Sequence, residues 1–328
     1  MAADTTAPSY WLNWRFFFCA IWIFTTMVVS AFLIWKYEVL PFKSSRPVRR
    51  EEQSASSGHE NDEAWKTCLE GIKHPAWLLA YRIIAFGALL SVLIANVVVD
   101  GGDIFFFYTQ WTFALVTVYF ALGSFFSIYG CHIYHSRFSS DAKIRLDAEQ
   151  GTCGAHILEE SSETSNLPKN WDAHEEHHTW KTSGVWIKIF QIVFQVSAGA
   201  VVLTDCVFWF IIYPFLTSKD YRLDFLTVSM HSMNVFFLLG DTILNCLRFP
   251  LFRFAYFMLW TAIFVIIQWI IHACVSMRWP YSFLDLSSSY APLWYIGVAA
   301  MHIPCYGSFA LISRIKNVLL SRSVPESY

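Results

Sequence analysis

The chain is poor in charge. Only 15% of its 328 residues are Asp, Glu, Lys or Arg, whereas globular chains carry about 25%. Apolar residues make up 55%, with 30 Phe and 15 Trp. This composition excludes a disordered chain, a nucleic-acid binder with a basic face and an ordinary cytosolic enzyme. An excess of one sign is also missing: the net charge is −2 and the pI about 6.6, so no strong attraction to polyanions follows. None of the eight cysteines forms a CxxC pair. Most lie inside apolar runs, where a free Cys behaves as a small hydrophobe, and neither a disulfide framework nor a zinc site is expected. There is no N-x-S/T sequon and no internal repeat, so nothing supports an inverted-repeat transporter. The first apolar run is too long for a signal-peptide core and lacks a cleavage-like end, and it reads as a retained helix.

What is present is a series of long apolar stretches, and mean hydropathy is +0.41. A helix crosses the hydrocarbon in about 20 residues. Phe16 to Trp35, Ile104 to Tyr134, Phe254 to Met277 and Leu286 to Ser313 contain no Asp, Glu, Lys or Arg. Ile83 to Val99 is also clean and extends back to Trp77. Ile189 to Ser218 contains only Asp205, and Phe225 to Leu247 only Asp241. The expectation is an all-α polytopic membrane protein with seven transmembrane helices. Its organisation would be an N-terminal helix (1–35), a polar linker (36–76), helices two and three (77–134), a second polar linker (135–185), helices four to seven (186–316) and a tail (317–328). Both linkers are too polar to build a core.

Lys and Arg mark the cytosolic side of membrane proteins. Alternate crossing puts only Arg15, Lys219, Arg222 and Arg278, of 23 basic residues, on one side. That side should be outside or lumenal and hold the N-terminus. The linkers and the C-terminus should be cytosolic.

Ionisable groups inside a membrane cost about 2.5–3.5 kcal/mol each on insertion scales and point to function. With a rise of 1.5 Å per residue, Thr112 lies roughly 12 Å below the outer surface, His231 roughly 9 Å, His272 roughly 6 Å and Asp205 roughly 12–15 Å. These four share the outer half, while His302 falls near the midplane. A threonine hydroxyl becomes a nucleophile when a base takes its proton, and neutral imidazole is the usual base. A carboxylate or a second imidazole can orient that base or donate to an oxyanion. Blander roles compete. A membrane threonine commonly bonds its own i−4 carbonyl, and an intramembrane histidine often bridges helices. Asp205 can bond Thr204, and Asp241 sits with Asn245 and Arg248 in what reads as a structural polar cluster. The run His174-Glu-Glu-His177-His178 has metal-ligand spacing but lies in a linker, so no metal site is expected. His132 and His135 read as interfacial, and Trp11, Trp279, Tyr281 and Trp294 as an aromatic belt.

Several stretches carry a resemblance. They are Trp111-Thr112-Phe113, Val207-Phe-Trp-Phe-Ile-Ile-Tyr213, Met230-His231-Ser232, Trp269-Ile-Ile-His272 and Pro280-Tyr-Ser-Phe-Leu-Asp285. From Tyr108 onward the chain resembles the androgen-induced-gene-one and androgen-dependent tissue-factor-pathway-inhibitor-regulating group, six-helix membrane threonine hydrolases of fatty acid esters of hydroxy fatty acids. The resemblance implies Thr112 as nucleophile and His231 as base, with no cofactor; His272 and Asp205 are expected in support because they share that depth. Two family histidines are missing here: Thr227-Val-Ser-Met-His231 keeps only the second of its pair, and only His272 remains of the later pair. The stretches His74-Pro-Ala-Trp-Leu-Leu-Ala-Tyr-Arg82 and Thr204-Asp-Cys-Val-Phe-Trp209 are similar to plant multi-pass proteins and, less closely, to the rolling-stone group. The extra first helix and the long linkers belong to that branch.

The expected partners are membrane lipids and an apolar ester substrate, with no nucleic acid. The expected location is a multi-pass position in the endoplasmic reticulum or plasma membrane. The competing readings are a non-enzymatic scaffold or receptor-like protein and, below it, a transporter or channel. The third helix ends in Tyr129-Gly-Cys-His-Ile-Tyr134 without an acidic-Arg-aromatic switch, and the seventh lacks Asn-Pro-x-x-Tyr, which argues against a G-protein-coupled receptor.

Overall fold

The computed structural model describes residues 4–40, 67, 74–151, 172–217 and 222–323, with side chains described outside 137–151, 172–183 and 321–323. The described residues form nine α-helices and no strand, with a single antiparallel bridge between Thr67 and Asn245. They are α1 (Pro8–Trp11), α2 (Trp14–Ile34), α3 (Ala76–Asp100), α4 (Tyr108–Gly151), α5 (Asp172–Val207), α6 (Phe225–Met230), α7 (Met233–Leu244), α8 (Phe254–Cys274) and α9 (Ala291–Ser323). Two continue as π-helix: α2 through Trp35–Val39 and α5 through Phe208–Leu216, which contains Pro214. The chain is an all-α, multi-pass membrane protein. Six helical stretches among the described residues are long and apolar enough to cross a bilayer: Trp14–Val39, Ala76–Asp100, Tyr108–Ser136, Gly184–Leu216, Leu251–Cys274 and Ala291–Leu320.

Their outward surfaces are apolar too. Phe17, Phe18, Ile21, Phe24 and Val28 of α2 are exposed, as are Ile83, Ile84 and Val98 of α3. In water such a surface would drive aggregation; against lipid it is the favoured one.

The remaining expected span, the fifth in chain order, behaves differently. Residues 225–244 form two short helices, α6 and α7, broken at His231 and Ser232. Neither Gly nor Pro causes the break. His231 has φ −101° and ψ 17°, and Ser232 has φ −144°. The His231 carbonyl, freed at the break, accepts a hydrogen bond from Trp209 Nε1 at 2.9 Å. Broken helices occur at membrane depth only where protein or a cavity satisfies the backbone.

Two apolar cores hold the bundle. One joins α2, α5, α8 and α9 through Ile23, Leu203, Phe257 and Tyr306. The other joins α3, α4, α5 and α7 through Leu89, Phe113, Phe190 and Leu238. Close approach of α5 to α8 depends on Gly199, where a Cβ would lie 2.6 Å from the Phe257 ring. Gly101, at φ +80°, ends α3 in a conformation that other residues rarely adopt.

The half of the bundle that holds the start of α3 and the end of α7 is stitched by charge. Arg82 is fully buried within α3, not in the loop where the basic-residue count placed it. It meets Asp241 at 2.8 Å and donates to Ser127 Oγ at 2.9 Å. Tyr119 and Asn245 also donate to the Asp241 carboxylate. The structural cluster expected around Asp241 is therefore present, with Arg82 as its cation. Lys316 Nζ donates to the Thr242 and Asn245 carbonyls at 2.9 and 2.7 Å, closing the end of α7. Glu38 pairs with Arg253 at 3.2 Å and accepts from Tyr256 at 2.7 Å. Glu38, Arg82, Arg253 and Lys316 are thus, with Asp205, among the charged residues within the six spans. One cysteine departs from the expected pattern. Cys246, just beyond α7 and outside the apolar helices, is disulfide-bonded, whereas Cys19, Cys131, Cys206, Cys274 and Cys305 are free.

Candidate functional site

A cavity of about 520 Å³ opens at the end of the bundle that holds the α3–α4 turn, within the roughly 300–1,000 Å³ range of small-molecule sites. Its wall is mainly apolar, with Leu203, Val207, Phe208, Phe264 and Val265. Asp100 and Asp103 also line it, from the turn that joins α3 to α4, and its polar groups include Tyr108, Gln110, Thr204, His231 and Thr261.

His231 reaches the cavity because the α6–α7 break turns the chain there. Its ring stacks on Phe208 at 3.8 Å with 3° between planes. Its Nδ1 faces Asp205 Oδ1 at 3.7 Å, within ion-pair reach and longer than a hydrogen bond. Neither Asp205 oxygen has a hydrogen-bond partner among the described residues, and neither does His231 Nδ1. The neighbouring Thr204 hydroxyl donates to the Val201 carbonyl at 2.9 Å. Buried polar atoms without partners cost about 1–3 kcal/mol each and are uncommon enough to need a reason.

Thr112 sits one turn deeper than Tyr108 on α4 and is fully buried. Its Oγ1 has no hydrogen-bond partner among the described residues. Other hydroxyls of this helix take the ordinary option: Thr117 donates to the Phe113 carbonyl and Ser124 to that of Phe120, at 2.9 and 2.8 Å. Thr112 is thus an exception to the usual back-bonding. It is not among the residues lining the cavity, and no hydrogen bond or ion pair joins it to His231.

His272 stands apart. Its Nδ1 donates to the Gln268 carbonyl at 2.8 Å, and its ring stacks on Trp279 at 3.8 Å. Trp279 is buried rather than in an interfacial belt, because its Nε1 donates to Tyr10 Oη at 2.9 Å. Tyr10 in turn donates to Asp285 at 2.6 Å and accepts from the Leu286 backbone N–H. Burial, then the Asp285 carboxylate, push the Tyr10 phenol above its ordinary pKa. This clamp ties α1 to the segment whose Pro280, Tyr281, Phe283 and Leu284 wall the cavity. Asp224 caps α6 by accepting from the Thr227 N–H at 3.0 Å, and its bonds to Thr227 lower its pKa.

The structure therefore brings Asp205 and His231 together and keeps Thr112 and His272 separate from them. Sequence reading missed the role of Trp209 and the hydroxyls of Tyr108 and Thr261. Nothing marks these in the sequence, since Trp, Tyr and Thr are common in membrane helices. The side chains of His174, His177 and His178 lie outside those described. No group of three potential metal ligands occurs among the described residues. Comparison of the chain with protein-family models, with curated proteins and with solved structures finds no match.

Proposed function

We propose that this protein is a membrane-embedded hydrolase of apolar carboxylic esters, in the manner of the threonine hydrolases it resembles. Fatty acid esters of hydroxy fatty acids are the substrate class to try first. His231 is the general base and Asp205 its orienting carboxylate; Thr112 is the nucleophile. The observation that carries the reading is the placement of His231: at a helix break, on the wall of an apolar cavity, with an otherwise unpartnered carboxylate 3.7 Å from its ring. The unbonded Thr112 hydroxyl supports it, while the choice of Thr112 as nucleophile rests on the resemblance. In this reading the broken α6–α7 unit completes seven crossings. The N-terminus is outside or lumenal, and the site opens toward that side.

The chemistry needs no redox step. The base takes the hydroxyl proton, the oxygen attacks the ester carbonyl and the alcohol leaves; water then releases the acid. The test is ester hydrolysis by membranes containing the protein, with Thr112→Ala and His231→Ala each abolishing it.

The full burial of Thr112, away from the cavity, favours a second reading: a non-enzymatic scaffold in which the outer polar groups bind helices together. That reading predicts a cellular role unchanged by Thr112→Ala.

A further inference from the structure

A second hydroxyl–imidazole pair stands at the edge of this cavity, which Thr261 lines, and unlike Thr112 and His231 it is already bonded. Thr261 Oγ1 and His302 Nε2 are 2.8 Å apart. His302 Nδ1 lies 2.8 Å from the Val298 carbonyl. A carbonyl only accepts, so Nδ1 carries the hydrogen and, in the neutral ring, Nε2 is a bare acceptor. The Thr261 hydroxyl, which also lies 3.4 Å from the Phe257 carbonyl, then has Nε2 as its nearer acceptor and donates to it. Tyr108 Oη, 2.8 Å from Thr261 Oγ1, must in turn donate to Thr261. The tautomers and directions of the chain Tyr108, Thr261, His302, Val298 are thereby fixed by its terminal carbonyl.

This is the arrangement that activates a hydroxyl: nucleophile and base in hydrogen-bond reach, with the base oriented by a third group. Thr261 also has access. It lines the 520 Å³ cavity and a narrower cleft beside α2; His302, itself almost fully buried, lines only the cleft. The Phe257 ring packs against the imidazole, with 4.4 Å between ring centres.

We propose that Thr261 and His302 form an acyl-transfer centre for apolar carboxylic esters, with Tyr108 donating to the oxyanion. The inference rests on the ester-binding cavity of the reading above and puts Thr261 in place of Thr112 as nucleophile, so that if it holds Thr112→Ala leaves hydrolysis intact. Thr261 Oγ1 attacks the ester carbonyl carbon while its proton passes to His302 Nε2. The tetrahedral oxyanion takes over the hydrogen bond of Tyr108. It collapses with cleavage of the C–O bond to the alcohol, which leaves with the proton from Nε2. Water then attacks the acyl-threonine, giving a proton to Nε2. Thr261 Oγ1 departs and recovers that proton, so ester and water become acid and alcohol.

The experiment uses the full chain in native membranes, treated with a long-chain alkyl fluorophosphonate, with the modified residue located by peptide mass spectrometry. The expected adduct is on Thr261. His302→Phe, which keeps an aromatic ring against Phe257, should slow labelling by at least about 100-fold. Thr261→Val should remove the adduct, Thr261→Ser should restore it, and Thr117→Val should leave it unchanged. Mapping on the wild-type chain needs no variant to fold. An adduct on Thr112 alone overturns this inference and leaves the Thr112 reading standing. An adduct on Thr261 alone does the reverse. A folded, unlabelled protein overturns both nucleophiles.

Discussion

Arg82 and Asp241 meet at 2.8 Å with both side chains fully excluded from solvent. They are 159 residues apart in sequence, and they join α3 to α7 at the level where Tyr119, Ser127 and Asn245 complete their hydrogen bonds. Removing one partner of a buried pair strands the other charge, which costs about 3–5 kcal/mol, whereas replacing both by apolar residues costs far less. Arg82→Met should therefore lower thermal stability in detergent strongly. The double variant Arg82→Met/Asp241→Leu should recover most of the loss. Two single effects that simply add would show that the pair is not coupled.

Gly199 sets the α5–α8 spacing. An alanine there would place its Cβ 2.6 Å from Phe257, and overpacking of this kind costs about 1–3 kcal/mol. Gly199→Ala should reduce the melting temperature, and Phe257→Leu in the same chain should relieve part of the clash. A Gly199→Ala protein as stable as wild type would mean the helices are not held this closely.

The Tyr10 clamp gives a pH signature. Its phenol is raised above the ordinary value of about 10 by burial and by Asp285. A raised pKa contributes stability that is complete below the unfolded value and is lost as pH rises through the folded one. Stability should thus fall above about pH 10, and Tyr10→Phe should be less stable at pH 8 with a flatter decline. Melting curves from pH 8 to 11 compare the two; parallel declines would remove Tyr10 from the account.

Asp205 faces His231 at 3.7 Å and has no other partner among the described residues. If it orients the base, Asp205→Asn should lower kcat on the ester by at least about 100-fold with little change in KM. An unchanged kcat would reduce Asp205 to a bystander.

Cys274 is free and exposed at the C-terminal end of α8, the end that the Lys and Arg distribution assigns to the outer or lumenal side. A membrane-impermeant maleimide should reach it only from the outer or lumenal face of sealed vesicles. Cys246 lies near the opposite end, which the Lys and Arg distribution assigns to the cytosol, yet it is disulfide-bonded, and disulfides persist mainly in oxidising compartments. Labelling of Cys274 from the cytosolic face alone would reverse the orientation and side with Cys246.

The helices were legible because lipid allows few alternatives: a run of about 20 apolar residues has to be a span or be buried. The break at His231 was not legible, because no Gly or Pro announces it and its carbonyl is satisfied by Trp209, 22 residues earlier. Arg82 read as a loop residue because a single charge at the edge of an apolar run looks terminal; its partner lies on another helix. Depth along a helix follows from counting, so Thr112, Asp205, His231 and His272 could be assigned to one half. Rotation about the helix axis and the fit of neighbours decide which of them meet, and those depend on the whole packing. Thr261 and His302 pair for the same reason across 41 residues, and no local pattern marks them.

The central claim is that this cavity hydrolyses an apolar ester. The direct measurement is release of free fatty acid and hydroxy fatty acid from their ester by membranes containing the full chain. The account predicts activity above that of empty membranes, lost in His231→Ala and in Thr112→Ala variants that still fold. Equal hydrolysis with and without the protein, or activity untouched by His231→Ala, would contradict it.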